Sequence, residues 1–339
     1  MQIKWFALFG LLGLLLITCT PKVAEEVSEV VETAPVKEEP QDENLSPCPK
    51  FSDAPDPDQA EEDYVLYRDN LKFNRLDVAF DYWQKVYKVA PAADGKRNTV
   101  YSDGIYFYEF FLSQTTDSVQ KAAYIDAIFD LYDQIATCYP EATGYVNARK
   151  GFDYYYKYDD RKTKEEIYTY FKKAIDQDGL KVNDFAINPF TALLVELHQA
   201  KKIDDAEAKK YESLIREIIA NGVADCKGTY CERWEIIEEY SLERLRAFEA
   251  VKDFYDCEYY KDQYFPIFES AQTDCDTILL VYSRLKWCGC ANDDPKLAQV
   301  IEAGNKNCAV DDGPSTVQEA YSALRNAEYD TAVEKFKQA

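Results

Sequence analysis

The sequence predicts an all-α protein, built as an α-solenoid of antiparallel helix pairs. Three observations support this prediction. Glycine and proline are scarce, at 12 and 13 of 339 residues, which disfavours the many tight turns of a β-sandwich. Long stretches rich in Lys, Glu, Ala, Leu and Tyr carry apolar residues at helical spacing. One pattern of small, aromatic and small residues recurs along the chain, which indicates a repeated helical unit.

The chain begins with an apolar run that has the features of an export signal. Lys4 precedes the run, and residues 5–17 are apolar or glycine throughout. At 13 residues the run is shorter than the roughly 20 that a membrane-spanning helix needs, and it fits the core of a signal peptide. The sequence "LITC", which ends at Cys19, resembles the lipobox of bacterial lipoproteins. We therefore predict a lipoprotein signal peptide over residues 1–18 and lipidation of Cys19; a plain secretory signal is the alternative.

An acidic segment follows the cysteine. Residues 20–63 contain 14 acidic residues and 3 lysines, a net charge of −11 out of −23 for the chain. Such a segment buries too little apolar surface to offset the entropy of ordering. We predict a flexible, disordered acidic tether over residues 19–58 that holds a folded body away from a lipid anchor. A weakly helical but solvated arm is the alternative.

The charge and the histidine count exclude several classes of function. A net charge of −23 argues against nucleic acid and anionic membrane surfaces as partners, because both need clustered Lys and Arg. The single histidine, His198, excludes zinc sites built on two or three histidines; we expect it to be a surface or half-buried residue. The chain has no P-loop, no G-x-G-x-x-G and no G-x-S-x-G sequence. We therefore predict a protein that is not an enzyme and has no catalytic residue, cofactor or metal.

The recurring pattern is clearest in "RLDVAFDYWQKVYKVAP". Its small, aromatic, small and proline positions resemble A-x3-F-x2-A-x4-P, the second helix of a tetratricopeptide (TPR) repeat. The small residue lets two helices approach closely, the aromatic fills the space between pairs, and the proline ends the helix. The same spacing returns twice, the second time with glycine in the proline position. The three copies comprise Ala79, Trp83, Val86 and Pro91; Ile128, Tyr132, Ile135 and Pro140; and Ile167, Phe171, Ala174 and Gly179.

The C-terminal stretch "AYSALRNAEYDTAVEKFKQA" is a further copy. A helix-turn-helix that departs from the small-residue pattern lies between Pro189 and Gly222. We predict a TPR-like array over residues 59–222, a Cys-rich helical region over 223–312 and a terminal TPR-like helix pair over 313–339. A helical array of another type is the alternative, and it has a similar shape. The C-terminal copy places Ala320, Ala323, Ala327, Tyr329, Ala332, Phe336 and Ala339 at repeat positions.

As a whole, the chain resembles the TPR lipoproteins of Bacteroidota, notably in "PCPKFSDAPD", "DYWQKVYKVAPAADG", "NPFTALLVEL" and "FYDCEYYKDQYFPIFES". The resemblance implies a helical interaction scaffold at the outer membrane, facing the periplasm or the cell surface and held to the membrane only by its lipid. The expected partners are other envelope proteins or peptides. A structural subunit of a secretion, motility or outer-membrane biogenesis assembly is the alternative, and a glycan- or nutrient-binding lipoprotein is a third possibility.

A partner would lie in the concave face formed by the first helices of the repeats. Aromatic residues and arginine at such positions suit peptide contact. The positions expected to face this groove are Tyr64, Arg68 and Lys72 in the first unit and Arg149, Phe152 and Tyr156 in the unit that begins near Ala148.

Seven of the ten cysteines lie between residues 226 and 308, and an exported protein is expected to form disulfides. Zinc bound by four thiolates is the alternative, but the paired C-x2-C spacing of such sites is missing. If Cys19 is lipidated, nine cysteines remain, so one thiol stays free or pairs with another chain.

The spacing of these cysteines suggests particular pairs. Cys226 and Cys231 flank a turn-like stretch and suit a local bridge. Cys257 and Cys275 each lie near the start of a helix, and antiparallel neighbours place those starts at opposite ends. Cys290 is therefore expected to return to Cys257, and Cys308 to pair with Cys275 or Cys288.

Overall fold

The computed structural model describes residues 47–308, 316–326 and 328–338. Those residues form fourteen α-helices, joined in places by short 3-10 helices, and contain no β-strand. The all-α prediction is therefore confirmed. The predicted signal peptide, Cys19, residues 20–46 of the tether, Ala327 and Ala339 lie outside the described residues.

The helices follow one another with short connections. In chain order they are α1 (Pro57–Lys72), α2 (Leu76–Val89), α3 (Thr99–Gln114), α4 (Ser118–Cys138), α5 (Thr143–Tyr156), α6 (Lys164–Asp178), α7 (Ile187–Gln199), α8 (Asp205–Asp225), α9 (Tyr230–Leu245), α10 (Cys257–Ser270), α11 (Cys275–Trp287), α12 (Pro295–Asn307), α13 (Thr316–Arg325) and α14 (Tyr329–Gln338).

The first six helices pack as three hairpins, α1–α2, α3–α4 and α5–α6. Lys85 Nζ on α2 lies 4.0 Å from Asp63 Oδ1 on α1, and these residues are equally far from the turn, as antiparallel helices require. The second helix of each hairpin carries the repeat positions on its core side. All nine are buried: Ala79, Trp83, Val86, Ile128, Tyr132, Ile135, Ile167, Phe171 and Ala174.

Consecutive hairpins touch through the second helix of one and the first helix of the next, as α2–α3, α4–α5 and α6–α7 do. Polar side chains also link first helices to first helices. Arg68 on α1 forms an ion pair with Asp103 on α3, and Lys157, just after α5, donates to Glu109 on α3 at 2.6 Å. Ser241 on α9 likewise donates to the Asn188 side chain on α7 at 2.6 Å.

The second helices form a corresponding series. Tyr87 on α2 hydrogen-bonds Gln134 on α4 at 2.9 Å, and Tyr211 on α8 donates to Asp176 on α6 at 2.8 Å. The helices therefore form a repeat-like arrangement. Side chains of a helix reach the corresponding helix of the next hairpin, first helix to first helix and second helix to second helix.

Trp83 is the centre of the first interhelical core. Its side chain is 1% exposed, and its indole N–H donates to the Val100 carbonyl at 2.7 Å. The ring stacks between Phe80 and Tyr87, with centroids 5.4 and 4.8 Å away. Gly104 on α3 lies against the indole, and a Cβ there would overlap it. The repeat tryptophan therefore requires a glycine on the neighbouring helix.

The predicted boundary of the acidic tether at residue 58 is too late. Cys48 is disulfide-bonded to Cys138 at the end of α4, and the Phe51 N–H donates to the Ala93 carbonyl at 3.0 Å. The Phe51 ring packs edge-on against Tyr64, with centroids 5.4 Å apart. Because a bridge, a backbone hydrogen bond and a partly buried ring hold residues 47–56 on the array, this part of the acidic segment belongs to the folded body.

Gly222 does not end its helix, although the sequence suggested that it would. Helix α8 continues to Asp225, and Gly222 is buried against the Trp234 ring of α9, where a Cβ would overlap it. The glycine permits close packing of two helices rather than a chain reversal. Pro189 lies within the first turn of α7, where the missing N–H costs nothing.

Helices α10, α11 and α12 have their own core, formed by residues such as Tyr260, Tyr264, Val281, Leu285 and Leu297. The predicted starts of the helices at Cys257 and Cys275 are confirmed.

Helices α13 and α14 pack against each other. The small repeat residues Ala320, Ala323 and Ala332 are buried, whereas Tyr329 and Phe336 are exposed. The aromatic repeat positions of this last pair therefore do not form a core as their counterparts in α2 and α6 do.

Candidate functional site

The three groove residues expected in the first unit are only partly available to a partner. Tyr64 is half-buried against Phe51. Arg68 is tied to Asp103 on the neighbouring helix, and Lys72 is exposed in the last turn of α1. Two of the three therefore contribute to the packing of the N-terminal segment and of α3.

The three groove residues expected on α5 form one cluster. The Arg149 guanidinium lies 5.2 Å from the centre of the Phe152 ring and 5.5 Å from that of Phe185. Tyr156 packs on Phe152 with centroids 4.7 Å apart. Phe185 comes from the short 3-10 helix that precedes α7. The cluster therefore links α5 to the start of the next helix pair through an aromatic–arginine stack.

A cleft of about 510 Å³ opens beside this cluster, between α3, α4 and the start of α5. Of the six expected groove residues, only Arg149 lines it. Tyr106 and Tyr145 lie at its edge and are 47% and 43% exposed. A ligand can therefore contact both side chains without a rearrangement of the protein. The lining comprises Asn98, Ser102, Ile105, Tyr106, Glu109, Tyr132, Ile135, Tyr145 and Arg149.

A buried carboxylate lies beneath the cleft. Asp153 is fully buried; it accepts from the Tyr132 hydroxyl at 2.9 Å and from Arg149 Nη2 at 3.2 Å. Lys157 Nζ lies 3.2 Å from the same carboxylate and 2.6 Å from Glu109 Oε1. Two cations and a hydroxyl thus satisfy the buried charge, as burial of an ionised group demands.

This network fixes the protonation and orientation of the groups that line the cleft. Burial, and then the charge of Asp153, raise the pKa of Tyr132, so its hydroxyl stays protonated and donates. Burial lowers the pKa of Arg149, but the Asp153 carboxylate, the Tyr132 hydroxyl and Tyr145 together outweigh burial and hold that pKa above its usual range. Arg149 is therefore a permanently charged, positioned group at the cleft wall.

The cleft has the size and the mixed polar and apolar lining of a ligand pocket. Its volume falls within the roughly 300–1,000 Å³ typical of ligand pockets, and it combines apolar walls with hydroxyl, amide, carboxylate and guanidinium groups. Tyrosine and arginine are the side chains that most often dominate binding energy at interfaces. Tyr106 and Tyr145 were missed at the sequence level, although Asn98, Ser102, Tyr106 and Glu109 recur at helical spacing and mark a polar face.

His198 is buried, at 2% exposure, and not on the surface or half-buried as expected. Its Nε2 lies 2.7 Å from Asp205 Oδ1 in the first turn of α8. Its ring packs edge-on against Phe248 and Phe254, with centroids 5.2 and 6.2 Å away. The residue lies in the last turn of α7, and the 3-10 helix and loop after α9 cover it. Its contacts assign it a packing role.

The cysteines of the Cys-rich region meet at disulfide distance in the expected pairs. The Cα–Cα distances are 5.0 Å for Cys226–Cys231, 5.7 Å for Cys257–Cys290 and 5.2 Å for Cys275–Cys308, within the range that a disulfide needs. Of the two partners left open for Cys308, the structure selects Cys275. Cys48–Cys138, with a Cα–Cα distance of 5.5 Å, was not expected.

Among the residues that the structure describes, Cys288 is the one free cysteine. Its sulfur lies within 4.8 Å of those of Cys257 and Cys290. Because the other two sulfurs are joined to each other, this cluster offers one thiol rather than the set of thiolates that zinc requires.

None of the helices in the described part of the chain is both long enough and apolar enough to cross a bilayer. Comparison with protein-family models, curated proteins and solved structures gives no match to this chain.

Proposed function

We propose that the protein is a non-enzymatic, TPR-like interaction scaffold that binds an extended segment of a partner protein. The single observation that carries the proposal is the cleft between α3, α4 and α5. It lies where first helices of consecutive hairpins meet, which is where solenoids of helix pairs bind peptides. The expected partners are other envelope proteins or peptides.

The arrangement of the helices supports the scaffold half of the proposal. Side-chain contacts join α1 to α3 and α3 to the end of α5, and a separate set joins α2 to α4 and α6 to α8. The repeat positions of α2, α4 and α6, which share the spacing of the TPR pattern, are buried, and this supports the TPR-like part of the proposal. A helical array of another type would offer the same kind of cleft, so the binding proposal does not depend on the family name.

We further propose that a lipid on Cys19 anchors the chain to the outer membrane, with the body facing the periplasm or the cell surface. The "LITC" sequence and the acidic residues after it support the anchor. Four cysteine pairs at disulfide distance suit an oxidising compartment outside the cytoplasm. Growth with labelled palmitate tests the anchor: the label should be incorporated into the native protein and lost from Cys19→Ala. A native protein without label would refute it.

Peptide selection tests the binding cleft. Peptides would be selected from a displayed library on the purified chain, and their affinities measured by fluorescence anisotropy. We expect Tyr106→Ala/Tyr145→Ala to cost about 2 kcal/mol, a roughly thirtyfold weaker Kd. Tyr240→Ala on α9 is the matched control, because Tyr240 is an exposed tyrosine outside the cleft. Equal affinities for the double variant and the control would remove the cleft as the binding site.

A structural subunit of an envelope assembly is the second candidate, and the last hairpin favours it. Helix α13 exposes Val317, Tyr321 and Leu324, and α14 exposes Tyr329, Val333 and Phe336, each set at helical i, i+4, i+7 spacing. Two exposed apolar stripes of this kind suit a permanent neighbour. Native purification from envelopes distinguishes the candidates: a stable large complex that dissociates in Leu324→Glu/Val333→Glu indicates an assembly subunit. Recovery of the free chain indicates a transient peptide binder.

A further inference from the structure

A free thiol lies beside a disulfide in the Cys-rich region. The Sγ atoms of Cys288 and Cys290 are 3.3 Å apart, and Cys290 is bonded to Cys257. All three sulfurs lie within 4.8 Å of one another. The second bridge of this region, Cys275–Cys308, has the same sequence separation of 33 residues and no third sulfur within that distance among the described residues.

The end of α11 creates this arrangement. Cys288 is the C-cap residue, and Gly289 follows with a φ of +81°, a left-handed conformation that glycine adopts without strain. The Cys290 N–H donates to the Leu285 carbonyl at 3.1 Å, and the Gly289 N–H donates to the Lys286 carbonyl at 3.1 Å. These two bonds form a Schellman cap. The cap folds the Cys-Gly-Cys sequence back on itself and places its two sulfurs side by side.

The three cysteines differ in their surroundings. Cys290 is buried, at 4% exposure, whereas Cys257 and Cys288 are partly exposed. The Cys288 thiol donates to the Leu285 carbonyl at 3.0 Å. Cys257 is the first residue of α10, where the free amides of a helix N-terminus favour a thiolate. Cys257 is therefore suited to leave as an anion when its bond to Cys290 is broken.

We propose that Cys257, Cys288 and Cys290 form a thiol–disulfide exchange centre. The Cys288 thiol loses its proton to water, and the resulting thiolate attacks Cys290 Sγ. The Cys288–Cys290 bond forms as the Cys257–Cys290 bond breaks. The electron pair of the broken bond leaves on Cys257 Sγ, which takes up a proton. One disulfide is exchanged for another, so the step needs no oxidant or reductant.

The exchange has a structural consequence. The Cys257–Cys290 bridge fastens the start of α10 to the end of α11, whereas a Cys288–Cys290 bond lies wholly within the cap of α11. After exchange, α10 keeps its packing contacts but loses its covalent link to α11. The free thiol then lies on Cys257, which is partly exposed at the start of a helix, where it can react with a disulfide of another molecule. This chemistry is separate from the peptide cleft on α3–α5.

Trapping of free thiols in the native protein tests the proposal. The purified chain, oxidised and without added reductant, would be incubated with N-ethylmaleimide, quenched in acid and digested with pepsin, which prevents later exchange. Mass spectrometry would then locate the alkylated cysteines and the linked peptides. We expect two populations: one alkylated on Cys288 with Cys257–Cys290 intact, and one alkylated on Cys257 with a Cys288–Cys290 bond.

The chain provides its own controls. Cys275, in the bridge without a neighbouring thiol, should remain unlabelled throughout. In Cys288→Ser, labelling of Cys257 should be lost while the Cys257–Cys290 peptide persists. Labelling confined to Cys288 in the unmodified chain would overturn the proposal, and this result does not depend on how any variant folds. Labelling of Cys257 at the same level in Cys288→Ser would overturn it as well, because the thiol would then come from another route.

Discussion

Removing the Cys48–Cys138 bridge should destabilise the body more than removing the Cys226–Cys231 bridge. The perturbations are Cys48→Ser/Cys138→Ser and Cys226→Ser/Cys231→Ser, which leave no unpaired sulfur behind. The first bridge spans 90 residues and the second spans 5. In the chain-entropy model these loops give about 4.6 and about 2.1 kcal/mol, because the closure term grows as 1.5RT ln n. The expected difference is therefore about 2.5 kcal/mol.

Urea unfolding of the oxidised chain and the two double variants measures this difference, followed by tryptophan fluorescence. Mass spectrometry confirms that the remaining bridges are intact. Hydrogen exchange gives a local readout, since the Phe51 amide that donates to Ala93 should lose protection in the first variant and keep it in the second. Equal losses of stability, or a larger loss in the Cys226–Cys231 variant, would refute the loop-length reasoning.

Three further outcomes follow from packing and burial. Trp83→Ala should lower the free energy of unfolding by about 3–5 kcal/mol. Trp287 is 41% exposed, so Trp287→Ala should lower it by about 0.5 kcal/mol or less. Thermal and urea unfolding of the two variants measures both losses. Gly104→Ala should destabilise by about 1–3 kcal/mol, because its Cβ would overlap the Trp83 ring. Gly304→Ala should instead stabilise by about 0.5–1 kcal/mol, because its Cβ would lie 3.5 Å from its nearest neighbour, an ordinary van der Waals distance. A higher Tm for Gly104→Ala than for Gly304→Ala would contradict both expectations. Burial raises the pKa of the Cys288 thiol, so its alkylation by iodoacetamide should accelerate about tenfold per pH unit through neutral pH; a rate that levels off near neutrality would contradict the raised pKa.

The second helices of the hairpins were predictable because their signal is local. The repeat places a small residue, an aromatic residue four positions later and a small residue three positions after that. These three residues share one helix face, and an apolar face is buried against some neighbour wherever the helix lies in the fold. Ala79, Trp83 and Val86 are all buried for this reason. The disulfides of the Cys-rich region were predictable on similar grounds, because Cys257–Cys290 and Cys275–Cys308 each join the start of one helix to the end of the next and Cys226–Cys231 closes a short turn.

What escaped prediction depends on contacts between residues far apart in the chain. The acidic composition around Cys48 conceals two distant contacts: the backbone bond from Phe51 to Ala93 and the bridge from Cys48 to Cys138. The two tyrosines at the cleft edge, Tyr106 and Tyr145, look like ordinary surface residues until α3 and α5 are placed side by side. Arg68 could be placed on the correct helix, but its pairing with Asp103 depends on the register between hairpins.

The Cys48–Cys138 bridge also determines how the body responds to tension. A pull applied to the chain before Cys48 passes through the disulfide directly into the last turn of α4. The segment between the two cysteines, closed by a bridge of sequence separation 90, carries none of that force. About 300 Å of chain, at 3.3–3.6 Å per extended residue, is therefore kept from unravelling. The helices that build one wall of the cleft stay folded under a load that would otherwise peel α1 away first.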